Sequence, residues 1–281
     1  MRGMGRFWGL FSALFVGQFV RGCRSSWNDV RRSEFGRYTR WNLPKLFHPE
    51  LHPLFEALGY VGGYLVYRWQ RTRFGDGLSD EHRWVVIAAA AVGALIGARA
   101  LGLLEQAPQM GLHWSEVLQP GGKTVVGGLL GGWLGVEVAK RAMGVRWRTG
   151  DLFAVPICAG IAMGRLGCFF AGLADDTYGT ATTLPWGVDF GDGVRRHPTQ
   201  LYEFLFLAVL AWVLWRWQNR PHQEGQVFRG FMAAYLGWRL VIDFLKPQPL
   251  VAGMNWIQWA CVTGLLVLGV GELRRRREMS L

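Results

Sequence analysis

Charged side chains and cysteines are both scarce in this chain of 281 residues. Only 18% of the residues are Asp, Glu, Lys or Arg, against about 25% in typical soluble domains. The four cysteines (Cys23, Cys158, Cys168 and Cys261) show no CxxC or CxxxC spacing. That pattern argues against a disulfide framework and against a zinc site. We therefore expect no metal and no diffusible cofactor. Internal repeats and low-complexity tracts are absent as well.

Hydrophobic and aromatic residues are abundant instead. They include 15 Trp and 17 Phe, and there are 39 Gly. Abundant Trp and Gly are typical of membrane helices and their interfacial belts. A net charge of +11 could indicate a nucleic-acid partner. The basic residues, however, cluster at the ends of long apolar segments, which is the pattern of membrane topology. We expect a membrane-embedded protein that binds no nucleic acid.

The apolar segments predict the fold class. A transmembrane helix needs about 20 mostly apolar residues, and the first, third and fifth of the seven candidate segments are short. We expect an all-α, polytopic integral membrane protein with about seven transmembrane helices. The candidate segments are 54–67, 84–104, 124–139, 152–173, 201–215, 228–245 and 254–273.

The loops between these segments predict an orientation. One set of loops, together with the C-terminal tail, carries 15 Lys and Arg residues, and the opposite set carries four. Basic loops stay in the cytoplasm. The N-terminus of the helical core therefore lies outside and the C-terminus inside.

Residues 1–47 do not fit this scheme and are treated as an N-terminal extension to a membrane domain of residues 48–281. The extension contains a 14-residue apolar run, Phe7 to Val20, and nine basic residues between Arg2 and Lys45. The run is too short for a full span. An extra anchor, a basic arm and an over-long start-site assignment all remain open.

Three arginines fall within the predicted spans. Arg99, Arg165 and Arg239 lie about 16 to 22 Å above the inner boundary, at 1.5 Å per helical residue. Charged groups at this depth are costly and indicate function. A cluster of guanidinium groups is suited to a phosphate, and in a membrane that indicates a phospholipid head group. The alternative is that each arginine snorkels or pairs structurally, as Arg239 could with Asp243 four residues later.

The stretch RRHPTQLYE, residues 195–203, predicts a polar helix start at the outer face. Pro198 suits the first helical position, with His197 at or near the N-cap. Gln200 and Glu203 follow on the same face. Capping for His197, and an interfacial role for Tyr202, are the alternatives. Lys123 stands at the head of another descending helix.

Glycines recur beside these groups. In GGLLGGWLG, which starts at Gly127 and Gly128, small residues four apart permit close helix approach. Packing is the simpler interpretation for them. Gly164 and Gly167 flank Arg165 and could leave room for a bulky ligand.

Together these motifs resemble a known family. GARALG, GGLLGG, GRLGCFFAG, RRHPTQLYE and GWRLVIDFLKP are similar to the successive motifs of the bacterial prolipoprotein diacylglyceryl transferases, over roughly residues 48–275. The resemblance implies a multi-pass enzyme of the bacterial inner membrane. It would transfer a diacylglyceryl group from phosphatidylglycerol to the thiol of a lipobox cysteine in a secreted precursor, releasing glycerol phosphate. The partners would be phosphatidylglycerol and prolipoprotein signal peptides.

The resemblance also implies roles for individual residues. Arg165, Arg239 and His197 are expected to be catalytic. Residues expected to bind substrate are Arg99, Lys123, Gly127, Gly128, Gln200, Tyr202, Glu203 and Asp243.

Three departures from the family pattern affect this expectation. Val126 replaces a histidine of the HGGLIG motif, Cys168 replaces the asparagine after GRLG, and the segments 105–122 and 174–197 leave little room for the family's head region. Without that histidine, the candidates for activating the thiol are Lys123, His197 and Glu203. Cys168 could serve as a nucleophile, although packing is the simpler role.

Three alternatives to the main reading stay open. They are a related transferase with another acceptor, a non-catalytic phospholipid-binding protein, and a transporter. The transporter ranks last because the sequence has no repeat symmetry.

Overall fold

The structure is a computed structural model. It describes residues 46–110, 122–145 and 147–279. All but the last two residues of the expected extension, 1–47, lie outside this range.

Seven α-helices make up most of the described residues, and the predicted all-α class with seven helices is confirmed. Short 3₁₀ turns at Pro49–Leu51, Gly172–Asp175 and Asp243–Leu245 adjoin them. The helices are α1 His52–Phe74, α2 Asp80–Met110, α3 Val125–Ala142, α4 Asp151–Ala171, α5 Thr199–Gln218, α6 Gln226–Ile242 and α7 Trp256–Met279.

Three of these helices, α2, α4 and α7, are long and apolar enough to cross a membrane, judged by length and composition. Other helices expose large apolar side chains as well. Leu205 and Val209 on α5 are 60% and 62% exposed, and Val241 on α6 is 66% exposed. An apolar outer surface of this kind is suited to lipid rather than to water.

Local sequence fixes the helix ends. Thr124 caps α3 by accepting a hydrogen bond from the Gly127 backbone N–H at 3.1 Å. The expected start of α5 is one residue off. The sequence predicted Pro198 at the first helical position, but its ψ of 70° is not helical and α5 begins at Thr199. Pro198 is thus the N-cap, and His197 precedes the helix.

Glycines allow α2 and α3 to cross at close range. A Cβ atom at Gly127 would lie 2.3 Å from the Gly97 carbonyl oxygen, and one at Gly131 would lie 2.3 Å from that of Gly93. Such distances are possible only without side chains. Gly127 therefore lies in the helix–helix contact, as the packing interpretation expected.

The chain segments around the outer ends of α1, α4, α5 and α6 are held together by hydrogen bonds. The backbone N–H of His48 donates to the carbonyl of Phe170 at 2.7 Å. The Thr199 hydroxyl donates to the carbonyl of Thr177 at 2.6 Å. A short antiparallel hairpin, β1 Val188–Asp189 and β2 Arg195–Arg196, leads into α5, and the backbone N–H of Thr180 donates to the carbonyl of Leu245 after α6 at 2.7 Å. The polar residues of four helices are thereby brought to one level.

Candidate active site

Glu203 lies at the centre of a buried group of charges. Its Oε2 atom is 2.9 Å from Nε of Arg165 and 3.0 Å from Nη1 of Arg239. Its Oε1 atom accepts a 2.6 Å hydrogen bond from the Tyr235 hydroxyl. Glu203 is 1% exposed. Three helices, α4, α5 and α6, therefore meet through one carboxylate.

Asp243 extends this group toward the loop that follows α6. Its carboxylate is 2.8 Å from Nη2 of Arg239 and 3.4 Å from Nζ of Lys246. Asp243 and Lys246 are both buried at the side chain. We call Arg165, Glu203, Arg239, Asp243 and Lys246 the charged cluster.

The charged cluster has an excess of one positive charge at neutral pH, because three cationic side chains face two carboxylates. Removing charges from water is costly unless they are paired. An additional monoanion would balance the cluster, and arginine donors are well suited to phosphate oxygens. The arrangement is therefore chemically suited to a phosphodiester.

A cavity of about 2100 Å³ opens beside the cluster. Arg165, Arg239 and Lys246 line it, and so do apolar side chains such as Leu129 and Ile161. Typical small-molecule pockets have volumes of about 300 to 1,000 Å³. A larger, mostly apolar space next to cationic groups is suited to an amphiphile with an anionic head.

Other predicted residues lie on or near this cavity. Gly128 and Lys123 line it. A Cβ at Gly128 would make ordinary contacts, 3.7 Å from Ala94 and from Ala98, unlike one at Gly127. Burial, opposed by the charge of Glu56 and assisted by that of Arg99, lowers the pKa of Lys123. Arg99 is half-buried on α2. The backbone N–H of Thr124 donates to the Ala98 carbonyl at 3.1 Å, which places Arg99 near Lys123.

The remaining residues of the RRHPTQLYE motif separate into two environments. His197 Nδ1 lies 3.3 Å from the Tyr202 hydroxyl, which accepts a hydrogen bond from Trp186 Nε1 at 2.8 Å. Both the His197 ring and the Tyr202 ring are half-buried. Gln200, by contrast, is 1% exposed, and neither of its amide atoms has a hydrogen-bond partner in the described chain.

The two substituted family positions also differ in environment. Val126 is 1% exposed and belongs to the apolar core. Cys168 lies on the cavity wall, with Sγ 3.8 Å from Arg165 Nη1 and 3.6 Å from His52 Nε2. Sequence analysis assigned no role to His52 or Asp175. His52 is distant from Cys168 along the chain, and Asp175 lies in the turn that follows α4.

Comparison with known proteins agrees with this geometry. The profile of the prolipoprotein diacylglyceryl transferase family matches residues 44–272. The chain belongs to the prolipoprotein diacylglyceryl transferase family. It is thus a member of a family of membrane transferases, and Arg165, Glu203, Arg239 and the cavity all fall within the matched region.

Curated relatives carry the name phosphatidylglycerol–prolipoprotein diacylglyceryl transferase. A relative from Geobacter sulfurreducens is 33% identical over 215 residues, covering 72% of this chain and 79% of the relative. One from Legionella pneumophila strain Corby is 29% identical over 228 residues, covering 78% of this chain and 88% of the relative. One from Cupriavidus pinatubonensis is 28% identical over 252 residues, covering 79% and 90%.

Proposed function

We propose that this protein transfers the diacylglyceryl group of phosphatidylglycerol to the thiol of a lipobox cysteine in secreted prolipoproteins. The observation that carries the proposal is the position of Arg165 and Arg239 on either side of Glu203, on the wall of a large apolar cavity. The cavity would hold the acyl chains, and the arginines would hold the phosphate.

The chemistry of the reaction requires cationic donors at this place. The acceptor sulfur forms a bond to the terminal glyceryl carbon, the carbon–oxygen bond to phosphate breaks, and glycerol phosphate leaves. Negative charge grows on the leaving phosphate, and preorganised donors lower the barrier when they face that charge. Arg165 and Arg239 are fixed by Glu203 and Asp243, so their positions are set before substrate binds.

We assign supporting roles to the other predicted residues. Glu203 and Asp243 orient the arginines. Lys123 and Gly128 belong to the cavity wall, with Arg99 near Lys123. Gln200 offers a buried amide about one helical turn before Glu203 on α5, and Tyr202 positions His197 at the outer entrance. Gly127 acts through the contact of α2 with α3.

We place the reaction at the outer leaflet of the bacterial inner membrane. The signal peptide of the precursor would bring the acceptor cysteine to the site. The support is the excess of basic residues in loops at the opposite end of the helices. A signal peptide is itself an apolar segment, and it would reach the cavity from the lipid phase.

A transferase of the same family with another acceptor is the second candidate. The observation that favours it is Val126, which places an apolar side chain in the core where the family's motif has a histidine.

Complementation separates the two candidates. The gene is expressed in a bacterial strain depleted of its own transferase, and lipoprotein maturation is followed by gel mobility. The proposal predicts restored growth and mature lipoproteins, and loss of both with Arg165→Lys. Membrane-inserted protein that restores neither favours the second candidate.

A further inference from the structure

Three side chains from separate parts of the chain converge at the outer end of the cavity. His52 begins α1, Cys168 lies near the end of α4, and Asp175 ends the 3₁₀ turn that follows α4. His52 Nε2 is 3.6 Å from Cys168 Sγ and 3.3 Å from Asp175 Oδ1. All three ligand atoms lie within 4.8 Å of one another. We call these residues the His–Cys–Asp cluster.

The two separations from His52 Nε2 match those of ligands around a tetrahedral zinc ion. Zinc binds sulfur at about 2.3 Å and nitrogen or oxygen at about 2.0 to 2.2 Å. At a tetrahedral angle these bonds place sulfur roughly 3.5 Å and oxygen roughly 3.3 Å from the nitrogen. The observed distances from His52 Nε2 are 3.6 and 3.3 Å.

Hydrogen bonds account for part of this convergence. If His52 Nε2 carries a proton, it donates to Asp175, and the Cys168 sulfur accepts from Arg165 Nη1 at 3.8 Å. A ring nitrogen is either a donor or an acceptor, so Nε2 can serve only one of its two neighbours in this way. A cation between the three atoms would contact all of them at once.

The donor set and its charge select the kind of cation. One nitrogen, one sulfur and one oxygen are the ligands that zinc takes in proteins. Calcium and magnesium prefer oxygen alone. A thiolate and a carboxylate balance the two charges of the ion. Asp175 is further oriented by Thr177, whose hydroxyl donates to Oδ2 at 2.6 Å, as expected of a residue that supports a metal ligand.

The cluster opens onto the same cavity as the phosphate-binding arginines. His52, Arg165, Cys168 and Asp175 all line it. In the described part of the chain the cluster supplies three ligands, and catalytic zinc sites keep the fourth position for water or substrate. A thiol that binds zinc loses its proton. Such an ion would deprotonate the acceptor thiol, a step in which Val126, unlike the histidine of the family motif, cannot act as a base.

We propose that His52, Cys168 and Asp175 bind one Zn²⁺ ion whose fourth coordination position binds and deprotonates the acceptor thiol. The second half of this proposal rests on the proposed function. In that step the thiol proton passes to solvent as sulfur binds zinc. The zinc-bound sulfur then forms the bond to the glyceryl carbon, and the carbon–oxygen electron pair leaves with glycerol phosphate.

The test begins with metal content, which does not depend on turnover. Full-length protein is purified in detergent with zinc added and then washed. We expect about one zinc per protein, and loss of zinc in His52→Ala and Cys168→Ser. The matched control is Cys158→Ser, which changes a buried cysteine on the same helix that does not line the cavity. It should retain zinc. Thr177→Ala should bind zinc about 10- to 100-fold more weakly.

Cobalt substitution tests the ligands and the open position. Protein loaded with Co²⁺ should show a thiolate-to-cobalt charge-transfer band that Cys168→Ser abolishes. Addition of a lipobox peptide with a free cysteine should intensify the band, and a peptide with serine in its place should not. Removal of zinc by a chelator should stop transfer by the wild-type protein and lower its unfolding temperature. This experiment needs no variant, so poor folding of a variant cannot affect it.

Wild-type protein without stoichiometric zinc, or zinc content unchanged by Cys168→Ser, would overturn the site. Transfer that is unaffected by chelation would overturn the role in thiol activation. A failure of the proposed function has a different signature, since zinc and the cobalt band would be present while phosphatidylglycerol is not consumed.

Discussion

Arg165 and Arg239 contact the same atom, Oε2 of Glu203, at 2.9 and 3.0 Å. Two guanidinium groups in a buried site repel each other, and a carboxylate between them offsets that repulsion. Glu203 thus has two roles: it permits both arginines to be buried, and it fixes the distance between them.

Glu203→Gln should destabilise the protein because it leaves two buried cations with one carboxylate fewer. Loss of one partner from a buried charge pair costs about 3 to 5 kcal/mol. Tyr235→Phe removes only the hydrogen bond to Glu203, and we expect a smaller loss of about 1.5 to 3 kcal/mol. Thermal unfolding in detergent measures both. An unfolding temperature that Glu203→Gln does not change would contradict this account of the cluster.

Arg165→Lys and Arg239→Lys should each lower the transfer rate by about 100-fold or more. Lysine keeps the charge but lacks the planar pair of donors that matches a phosphate, and loss of a donor to developing charge typically costs about that much. The matched control is Arg195→Lys, because Arg195 is exposed and donates only to loop carbonyls in the described chain. Equal rates for all three variants would remove the arginines from the reaction.

Gly131→Ala should disrupt the contact between α2 and α3. Its Cβ would lie 2.3 Å from the Gly93 carbonyl oxygen, and overpacking of this kind costs about 1 to 3 kcal/mol. At Gly237, a Cβ meets no described atom within 4 Å. Gly237→Ala should therefore be neutral or stabilise α6 by up to about 1 kcal/mol. If the two variants unfold at the same temperature, the glycine contact is not a determinant of stability.

Phosphatidylglycerol binding should weaken as the pH rises through about 8. Burial, followed by repulsion from Arg239, lowers the pKa of Lys246 to about 8. Above that pH the lysine is neutral and the charged cluster loses its excess positive charge. Binding to mixed micelles, compared at about pH 7 and about pH 9, measures the effect.

Stability should change in the opposite direction over this range. The unfolded chain holds the Lys246 proton up to about pH 10.4, whereas the folded protein releases it near pH 8. This residue therefore makes the folded state more stable as the pH rises between those values. The control for the binding prediction is Lys246→Arg. Arginine stays charged at both pH values, so this variant should bind phosphatidylglycerol equally at both. A wild type that binds equally at both pH values would contradict the role of Lys246.

Much of the helical architecture could be predicted from the sequence, because apolar runs and basic loop ends are local properties. That Arg165 and Arg239 lie at a similar level also follows from counting residues along their helices, and both contact Glu203. The start of α5 was misplaced by one residue, since the ring of Pro198 fixes a φ that suits a helix but leaves ψ free, and ψ here is 70°.

The composition of the site could be predicted only in part. Tyr235 contacts Glu203 through tertiary packing and stands in none of the motifs. Lys246 stands in the GWRLVIDFLKP motif, but its contact with Asp243 depends on the turn that follows α6. The His–Cys–Asp cluster escaped detection for a similar reason. Its three ligands come from two helices and a turn, so the absence of close cysteine spacing, which argued against zinc, does not bear on it.

Mass spectrometry of a lipobox peptide tests the central claim most directly. Purified protein is incubated with isotope-labelled phosphatidylglycerol and a peptide that contains one cysteine. The account predicts a labelled diacylglyceryl thioether on that cysteine, formed about 100-fold or more slowly with Arg165→Lys and not at all with a serine peptide. An unmodified peptide after incubation with folded wild-type protein that binds phosphatidylglycerol would contradict it.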